Sequence, residues 1–290
     1  EHLAARGARL LPTAMHPWMD SAREFAIWPH GAREIYDAFH RIFDCRGHGW
    51  ANLQSAHLNL PFADDDEFGR LHAASRALLP LLPALAAASP FVDGRASGLL
   101  DTRIDVYRTN ARRVPSVSGA VIPEPVFTRR DYETLLDGIY ADLAPLDPEG
   151  VLRYEWVNAR GCIARFDRNA IEIRVLDVQE CPRADIAIAA AASAVARALC
   201  AAGPQQQRLR ALETARLREL LVRTTARAEH ALIDDADYLR ALGLDPKTRS
   251  AGDVWRELVA RDVAGGEGGA AFVPALEHIG AEGTLATRIL

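Results

Sequence analysis

Alternating apolar and polar positions predict three strands in the first two thirds of the chain. The stretch IEIRV (171–175) has the period-two pattern of a strand with one apolar face, and its other face carries Glu172 and Arg174. HLNLPF (57–62) and TRIDVYR (102–108) alternate in the same way. Polar strand faces most often meet solvent, so these charged positions face either water or a substrate.

Helical periodicity and turn residues account for the other elements. Acidic residues begin a helical stretch at 64–90, and Pro80 and Pro83 predict a break within it. Asp167-Arg168-Asn169 is a turn that joins two strands into a hairpin. The predicted elements are a strand at 8–17, a helix near 31–44, a strand at 55–62, the interrupted helix, a strand at 98–110, a loop at 114–125, a helix at 130–143, the hairpin at 162–178, and an amphipathic helix at 204–230.

This order predicts an α+β fold in a single domain over residues 1–290. We expect a mostly antiparallel sheet packed by helices, with a mainly helical carboxy-terminal portion at 184–290. The chain does not begin with methionine, and EHLAARGARLLP resembles the second half of a helix. We therefore expect an amino-terminal strand to precede residue 1 in the natural protein.

Composition narrows the class of protein. The net charge of −5 over 290 residues disfavours nucleic acid as a partner. The longest apolar run contains Asp185 and Arg197, which favours a buried helix over a membrane span. The four cysteines form no C-x-x-C pair, so we expect a reduced, cytoplasmic protein without a zinc site.

The polar faces of the three strands carry metal-ligand and anion-binding side chains. His57 and Asn59 share one such face, Arg103 lies on the second, and Glu172 and Arg174 lie on the third. Three such strands in one sheet predict a concave polar active face suited to metal-assisted phosphoryl transfer. No G-x-x-x-x-G-K-[ST] or G-x-G-x-x-G motif occurs, so ATP would bind through metal ions on the sheet.

Several stretches together resemble the glutamate–cysteine ligase family, in particular its second bacterial branch, whose members are related to glutamine synthetase in fold. The matching stretches occur in family order: MHP (15–17), HLNLPF (57–62), SRALLPLLPALAAASPFVDG (75–94), DTR (101–103) and IEIRVLDVQ (171–179). The E-x-R-x-x-D strand and the H-x-N strand are the more specific of these signals.

The resemblance implies an ATP-dependent ligase that joins the γ-carboxylate of glutamate to the amine of cysteine through an acyl phosphate, with Mg²⁺ or Mn²⁺ as cofactor. Its partners would be the small molecules glutamate, an amine and ATP, with no nucleic acid and no membrane, and homo-oligomerisation is left open. By this resemblance, Glu172 and His57 bind metal, Arg174 acts in catalysis near the transferring phosphate, and Arg103, Arg160 and Asn59 bind substrate.

The family's first strand carries a G-x-E-x-E pattern of metal-binding carboxylates, which these 290 residues lack. Two alternatives therefore stay open beside ligation of cysteine. One is a ligase of the same chemistry acting on a different amine or a peptide, and the other is a catalytically inactive relative that binds ligands.

Overall fold

A computed structural model describes residues 2–266 and 269–290 and has the predicted α+β fold. Helices account for 53% of the structure and strands for 10%. The sheets are antiparallel as predicted but smaller, because two stretches predicted as strands fold differently. The concave polar sheet face is not observed as such.

The central sheet has three strands, and the middle one carries Glu172. In chain order the strands are β1 (Ser55–Pro61), β2 (Phe91–Val92), β3 (Arg95–Ala96), β4 (Cys162–Arg165), β5 (Ala170–Asp177), β6 (Leu232–Ile233) and β7 (Arg249–Ser250). β5 lies between β1 and β4 and runs antiparallel to both. The β4–β5 hairpin is confirmed, and its turn ends at Asn169 with φ of 48°, a left-handed conformation that asparagine tolerates.

Helices surround this sheet and form most of the carboxy-terminal portion. They are α1 (Ser21–Glu24), α2 (Arg33–Phe43), α3 (His48–Ala51), α4 (Asp65–Leu78), α5 (Pro83–Ala86), α6 (Thr102–Tyr107), α7 (Arg129–Leu143), α8 (Pro182–Cys200), α9 (Pro204–Arg210), α10 (Thr214–Arg227), α11 (Ala236–Ala241), α12 (Ala251–Leu258), α13 (Val273–Glu282) and α14 (Leu285–Ile289). The predicted helices near 31–44 and at 130–143 are confirmed. The predicted break at the prolines is also confirmed, since α4 stops at Leu78 before a 3₁₀ turn.

The strand predicted at 98–110 is wrong, because its central part is helix α6. Asp101 caps this helix by accepting a hydrogen bond from the Ile104 N–H at 2.9 Å. Alternation over so short a stretch is compatible with a helix or with a strand, and tertiary packing determines which of the two forms. Ile104 is fully buried here, and Arg103 is 1% exposed beside the sheet.

Two further predictions are corrected. In the part of the chain that the structure describes, residues 8–17 form no strand, and Pro12 and Pro17 provide no N–H for a ladder. The helix predicted at 204–230 is divided into α9 and α10. The break lets the buried Arg76 donate to the Leu212 carbonyl at 3.3 Å, a carbonyl that a continuous helix would use internally.

The apolar face of β5 forms part of the core. Ile171, Ile173 and Val175 are fully buried and belong to the main hydrophobic cluster, which includes the alanine-rich faces of α4 and α8. The alternate positions of β5 point to the opposite side of the sheet. Within the described residues, no single helix is long and apolar enough to cross a membrane, although the bent pair α8 and α9 passes by length and composition when taken together.

Candidate active site

Glu172 lies at the centre of a charged network on the polar face of β5. Its Oε1 accepts a hydrogen bond from Arg174 Nε at 2.8 Å and lies 2.9 Å from His57 Nδ1. Its Oε2 accepts a hydrogen bond from Arg165 Nη1 at 3.1 Å. The Glu172 side chain is 6% exposed, so this carboxylate is buried among polar partners and does not face bulk solvent.

Strand register places these groups on one side of the sheet. Asn59 of β1 lies directly opposite Glu172, and the register shifts between Ala56 and Leu58. His57 is thereby brought against the Glu172 carboxylate, and it remains 43% exposed. Its Nε2 lies 3.0 Å from the Ser55 hydroxyl. His57, Glu172 and Arg174 therefore lie together on one side of the sheet, whereas Arg103 comes from a helix and not from a neighbouring strand.

The surroundings of Glu172 keep its carboxylate ionised. Burial by itself raises the pKa of Glu172, but the hydrogen bond with His57 and the charge of Arg174 outweigh burial and lower this pKa to about 2. A permanently charged carboxylate beside an accessible imidazole is chemically suited to hold a divalent cation.

Arg174 is held in place by main-chain carbonyls. Its Nη1 donates to the carbonyl oxygens of Trp156 at 3.2 Å and Asn158 at 3.0 Å, and its Nε binds Glu172. The guanidinium therefore has a defined orientation, with 13% of the side chain exposed. Such a fixed positive charge can stabilise a phosphoryl group without reorganisation.

Arg103 approaches the same place from helix α6. Its Nε forms an ion pair with Asp177, and its Nη1 donates to the Arg174 carbonyl at 3.4 Å. Nη2 of this buried guanidinium has no hydrogen-bond partner among the described residues. An unsatisfied buried N–H is costly, so this N–H would gain from any further acceptor that comes within reach.

A small cleft joins these side chains. It has a volume of about 190 Å³, and residues from β1, β5, α6 and the segment before β4 line it, including His57, Arg103, Tyr107 and Arg174. Burial raises the pKa of the Tyr107 hydroxyl, so Tyr107 is neutral at physiological pH. Among the described lining residues Arg103 and Arg174 carry the formal charges, and each is paired with a carboxylate outside the lining, Asp177 or Glu172.

Arg160 lies outside the lining of this cleft. Its Nε and Nη2 donate to the two carboxylate oxygens of Glu124, at 2.6 and 2.7 Å, and its Nη1 donates to the Ser116 carbonyl at 3.0 Å. These bonds attach the predicted loop at 114–125 to the segment before β4. A role of Arg160 toward substrate stays a prediction.

A sequence profile described as glutamate-cysteine ligase family 2 matches residues 1–290. The chain belongs to glutamate-cysteine ligase family 2. An uncharacterized protein of Archaeoglobus fulgidus is 37% identical over 257 residues, which is 85% of this chain and 69% of that protein. The family is one of ligases, so the polar network on β5 belongs to a member of a ligase family.

The family resemblance implies a divalent cation, and His57 and Glu172 are the described residues that would hold one. His57 and Glu172 present an imidazole and a carboxylate within 2.9 Å of each other. Within residues 2–266 and 269–290, no group of three or more His, Cys, Asp or Glu side chains is arranged to hold a metal ion. Mg²⁺ keeps several waters and accepts few protein ligands, so the pair fits as a partial donor set completed by water and phosphate oxygens.

Sequence reasoning missed Arg165, which binds the second oxygen of Glu172. The signal was present in the hairpin register, because Ile163 lies opposite Glu172 and Arg165 follows two residues later on the same face. Arg165 also binds Asp167 at 2.9 Å through Nη2. It therefore links the hairpin turn to the centre of the network.

Proposed function

We propose that this chain is an ATP-dependent carboxylate–amine ligase that activates the γ-carboxylate of glutamate and joins it to an amine in the cytoplasm. The observation that carries the proposal is the meeting of Glu172, His57 and Arg174 beside an arginine-lined cleft in a family of ligases. Mg²⁺ or Mn²⁺ is the proposed cofactor, held by His57 and Glu172, and it would neutralise phosphate charge when bound.

The first chemical step forms an acyl phosphate. A γ-carboxylate oxygen of glutamate attacks the γ-phosphorus of ATP, and the bond to the β-phosphate oxygen breaks with ADP as leaving group. Arg174 stabilises the charge on the transferring group, because main-chain carbonyls fix its orientation. Arg103 binds a substrate carboxylate through the Nη2 that lacks a partner.

Asn59 and Arg160 complete the proposed set of substrate-binding residues. Asn59 is exposed next to Glu172, where its amide can reach a bound ligand. Arg160 holds the loop at 114–125 through Glu124, and this loop would need to release the guanidinium before Arg160 could bind a nucleotide.

The proposal is tested with the full-length protein, MgATP, glutamate and hydroxylamine. Hydroxylamine is a small nucleophile that traps an acyl phosphate as a hydroxamate whatever the natural amine is. We expect glutamate-dependent formation of ADP and hydroxamate in equal amounts. If neither product forms with glutamate or with a panel of other carboxylic acids, the protein is a ligand-binding relative without this activity.

Cysteine is the acceptor that the family description names, and another amine is the alternative. Both acceptors use the same chemistry at the cleft. The feature of the chain that bears on this choice is a second cavity, lined by aromatic residues, beside the cleft.

A further inference from the structure

An aromatic pocket adjoins the cleft on the side of α2 and α3. Its volume is about 500 Å³. Its aromatic lining consists of Phe25, Trp28, Tyr36, Phe39 and Trp50. Phe39 and Trp50 also line the cleft that contains Arg103 and Arg174, so the two cavities share a wall. A ligand that occupies both cavities would have to pass these two rings.

The shared wall is well ordered by its contacts. The ring centroids of Phe39 and Trp50 lie 5.2 Å apart, and Phe43 stacks on Trp50 at 5.4 Å. Trp50 Nε1 donates to the Asn110 carbonyl at 3.2 Å. Asn110 itself lines the cleft. Contacts with Phe43 and with Asn110 therefore hold the Trp50 ring of this wall in one orientation.

The outer rings of the pocket are unusually open to solvent. Trp28 is 58% exposed and Tyr36 is 44% exposed. Aromatic side chains that remain exposed around a concavity are typical of a binding surface, because a ligand covers them at a gain in free energy. Their rings supply large contact area with little side-chain entropy to lose.

The polar groups of the pocket are few. Glu24 is its charged lining residue among those described, and its Oε1 accepts a hydrogen bond from the Asp20 N–H at 2.8 Å. Cys45 is buried, and burial raises the pKa of its thiol to about 11, so it stays neutral. The pocket therefore favours an apolar, aromatic group over a polar one.

We propose that the aromatic pocket binds the non-reacting part of the acceptor, and that the acceptor is a primary amine carrying an aromatic ring. This inference rests on the ligase function proposed above. The thiol and methylene of cysteine would leave most of the 500 Å³ unfilled, whereas an arylalkylamine would contact several rings.

The amine completes the reaction at the acyl phosphate. Its nitrogen attacks the acyl carbon, the C–N bond forms as the C–O bond to phosphate breaks, and the electron pair leaves with inorganic phosphate. Phosphate takes the proton that the nitrogen loses. The aromatic pocket would orient the amine for this attack while its nitrogen lies in the cleft near Arg174.

The test compares acceptors in the full-length protein with MgATP and glutamate. The panel contains phenylethylamine, cysteine, the diamine putrescine and hydroxylamine, and amide products are measured by mass spectrometry beside ADP. We expect kcat/KM for phenylethylamine to exceed that for cysteine by about 10-fold or more, the scale on which an apolar pocket discriminates.

Substitutions in the aromatic pocket then test whether this pocket causes the preference for the aromatic amine. Trp28→Ala and Tyr36→Ala should each lower the ratio of kcat/KM for phenylethylamine to kcat/KM for hydroxylamine by about 10-fold, mainly through KM. Trp18→Ala is the matched control, because Trp18 is also exposed, at 65%, and does not line the pocket. Its ratio should equal that of the wild type.

The outcomes separate this inference from the ligase proposal. If hydroxamate forms but phenylethylamine is no better than cysteine, or if Trp28→Ala and Tyr36→Ala behave like Trp18→Ala, the pocket does not select the acceptor. A preference for putrescine would show that Glu24 selects a cation and would overturn the inference as well. If no hydroxamate forms, both proposals fail together.

Discussion

The ionised state of Glu172 depends on the side chains that replace its water. His57, Arg165 and Arg174 all contact the carboxylate, so the cost of burying the charge is offset by three partners. Removing the charge alone would leave two guanidinium groups without their common anion. The residue therefore contributes both to the proposed chemistry and to stability.

Glu172→Gln should lower glutamate-dependent ADP formation by about 100-fold or more, because an amide cannot supply the anionic ligand that a divalent cation needs. Steady-state ADP release at saturating Mg²⁺ measures the effect. Glu219→Gln, an exposed site on α10, is the control and should retain wild-type activity. Near-normal activity of Glu172→Gln would remove Glu172 from the metal site.

The same variant tests the lowered pKa of Glu172. Its pKa falls from an ordinary 4.5 to about 2 in the folded protein. The ionised form therefore adds to stability above about pH 4.5 and loses this contribution as pH falls through 2, with a full size of about 3 kcal/mol. Urea unfolding at several pH values should show the difference between wild type and Glu172→Gln shrinking from pH 5 to pH 2. A difference independent of pH in this range would contradict the assignment.

Arg103→Lys should raise KM for glutamate by about 10-fold to 100-fold with a smaller effect on kcat, because one ammonium group cannot pair with Asp177 and also replace the Nη2 N–H that binds the substrate carboxylate. Lysine keeps a positive charge near Asp177, so the fold should persist. Arg108→Lys, on the turn that ends α6 and paired with Asp105 at 3.1 Å, is the matched control and should leave KM unchanged. Equal KM values in the two variants would assign Arg103 to structure alone.

The loop at 114–125 is an element whose position depends on one ion pair. Arg160 is 3% exposed and donates two hydrogen bonds to Glu124. Gly119 lies directly against the guanidinium, since a Cβ at this residue would come within 2.9 Å of Nη2. The loop is thus closed over Arg160 by charge and by the absence of a side chain at Gly119.

Glu124→Ala should destabilise the protein by about 3 kcal/mol, because it leaves a buried arginine without its anion. Glu133→Ala removes an exposed partner of Arg129 and should cost less than about 1 kcal/mol. Chemical unfolding compares the two variants. Faster hydrogen exchange confined to 114–125 in Glu124→Ala would identify the loop as the affected element, and equal stabilities would show that the pair contributes little.

The cleft exists only in the assembled molecule. Its walls come from α2, α3, β1, α6, the segment before β4, and β5, which are distant in the chain. A cation held by His57 and Glu172 would bind only the folded protein, and so would stabilise the whole fold by mass action.

We expect Mg²⁺ with a non-hydrolysable ATP analogue to raise the melting temperature of the full-length protein, and His57→Ala to remove most of this rise. The free energy of unfolding should rise by about 2.7 kcal/mol at a ligand concentration 100 times Kd. His57 is 43% exposed, so its replacement should preserve the fold. His230→Ala, at a site where the side chain is 63% exposed, should respond like the wild type. An undiminished rise in His57→Ala would exclude His57 as a ligand.

The sequence by itself determined those elements whose predictive residues lie within the element. The hairpin around Asn169, the helix break after Leu78 and the polar face of β5 follow from turn residues, prolines and strong alternation. His57 and Glu172 could be paired in advance because strands of one sheet with matching alternation bring their polar faces together. Family motifs supplied the ligase assignment.

Tertiary contacts decided the rest. TRIDVYR alternates well enough for a strand, but a helix here lets Arg103 pair with the buried Asp177. Buried Arg76 divides the predicted helix at 204–230, since it needs the carbonyl of Leu212. Neither partner lies near its target in the chain. The sequence did not predict the aromatic pocket either. Trp28, Phe39 and Trp50 line one cavity only when α2 and α3 pack beside the cleft.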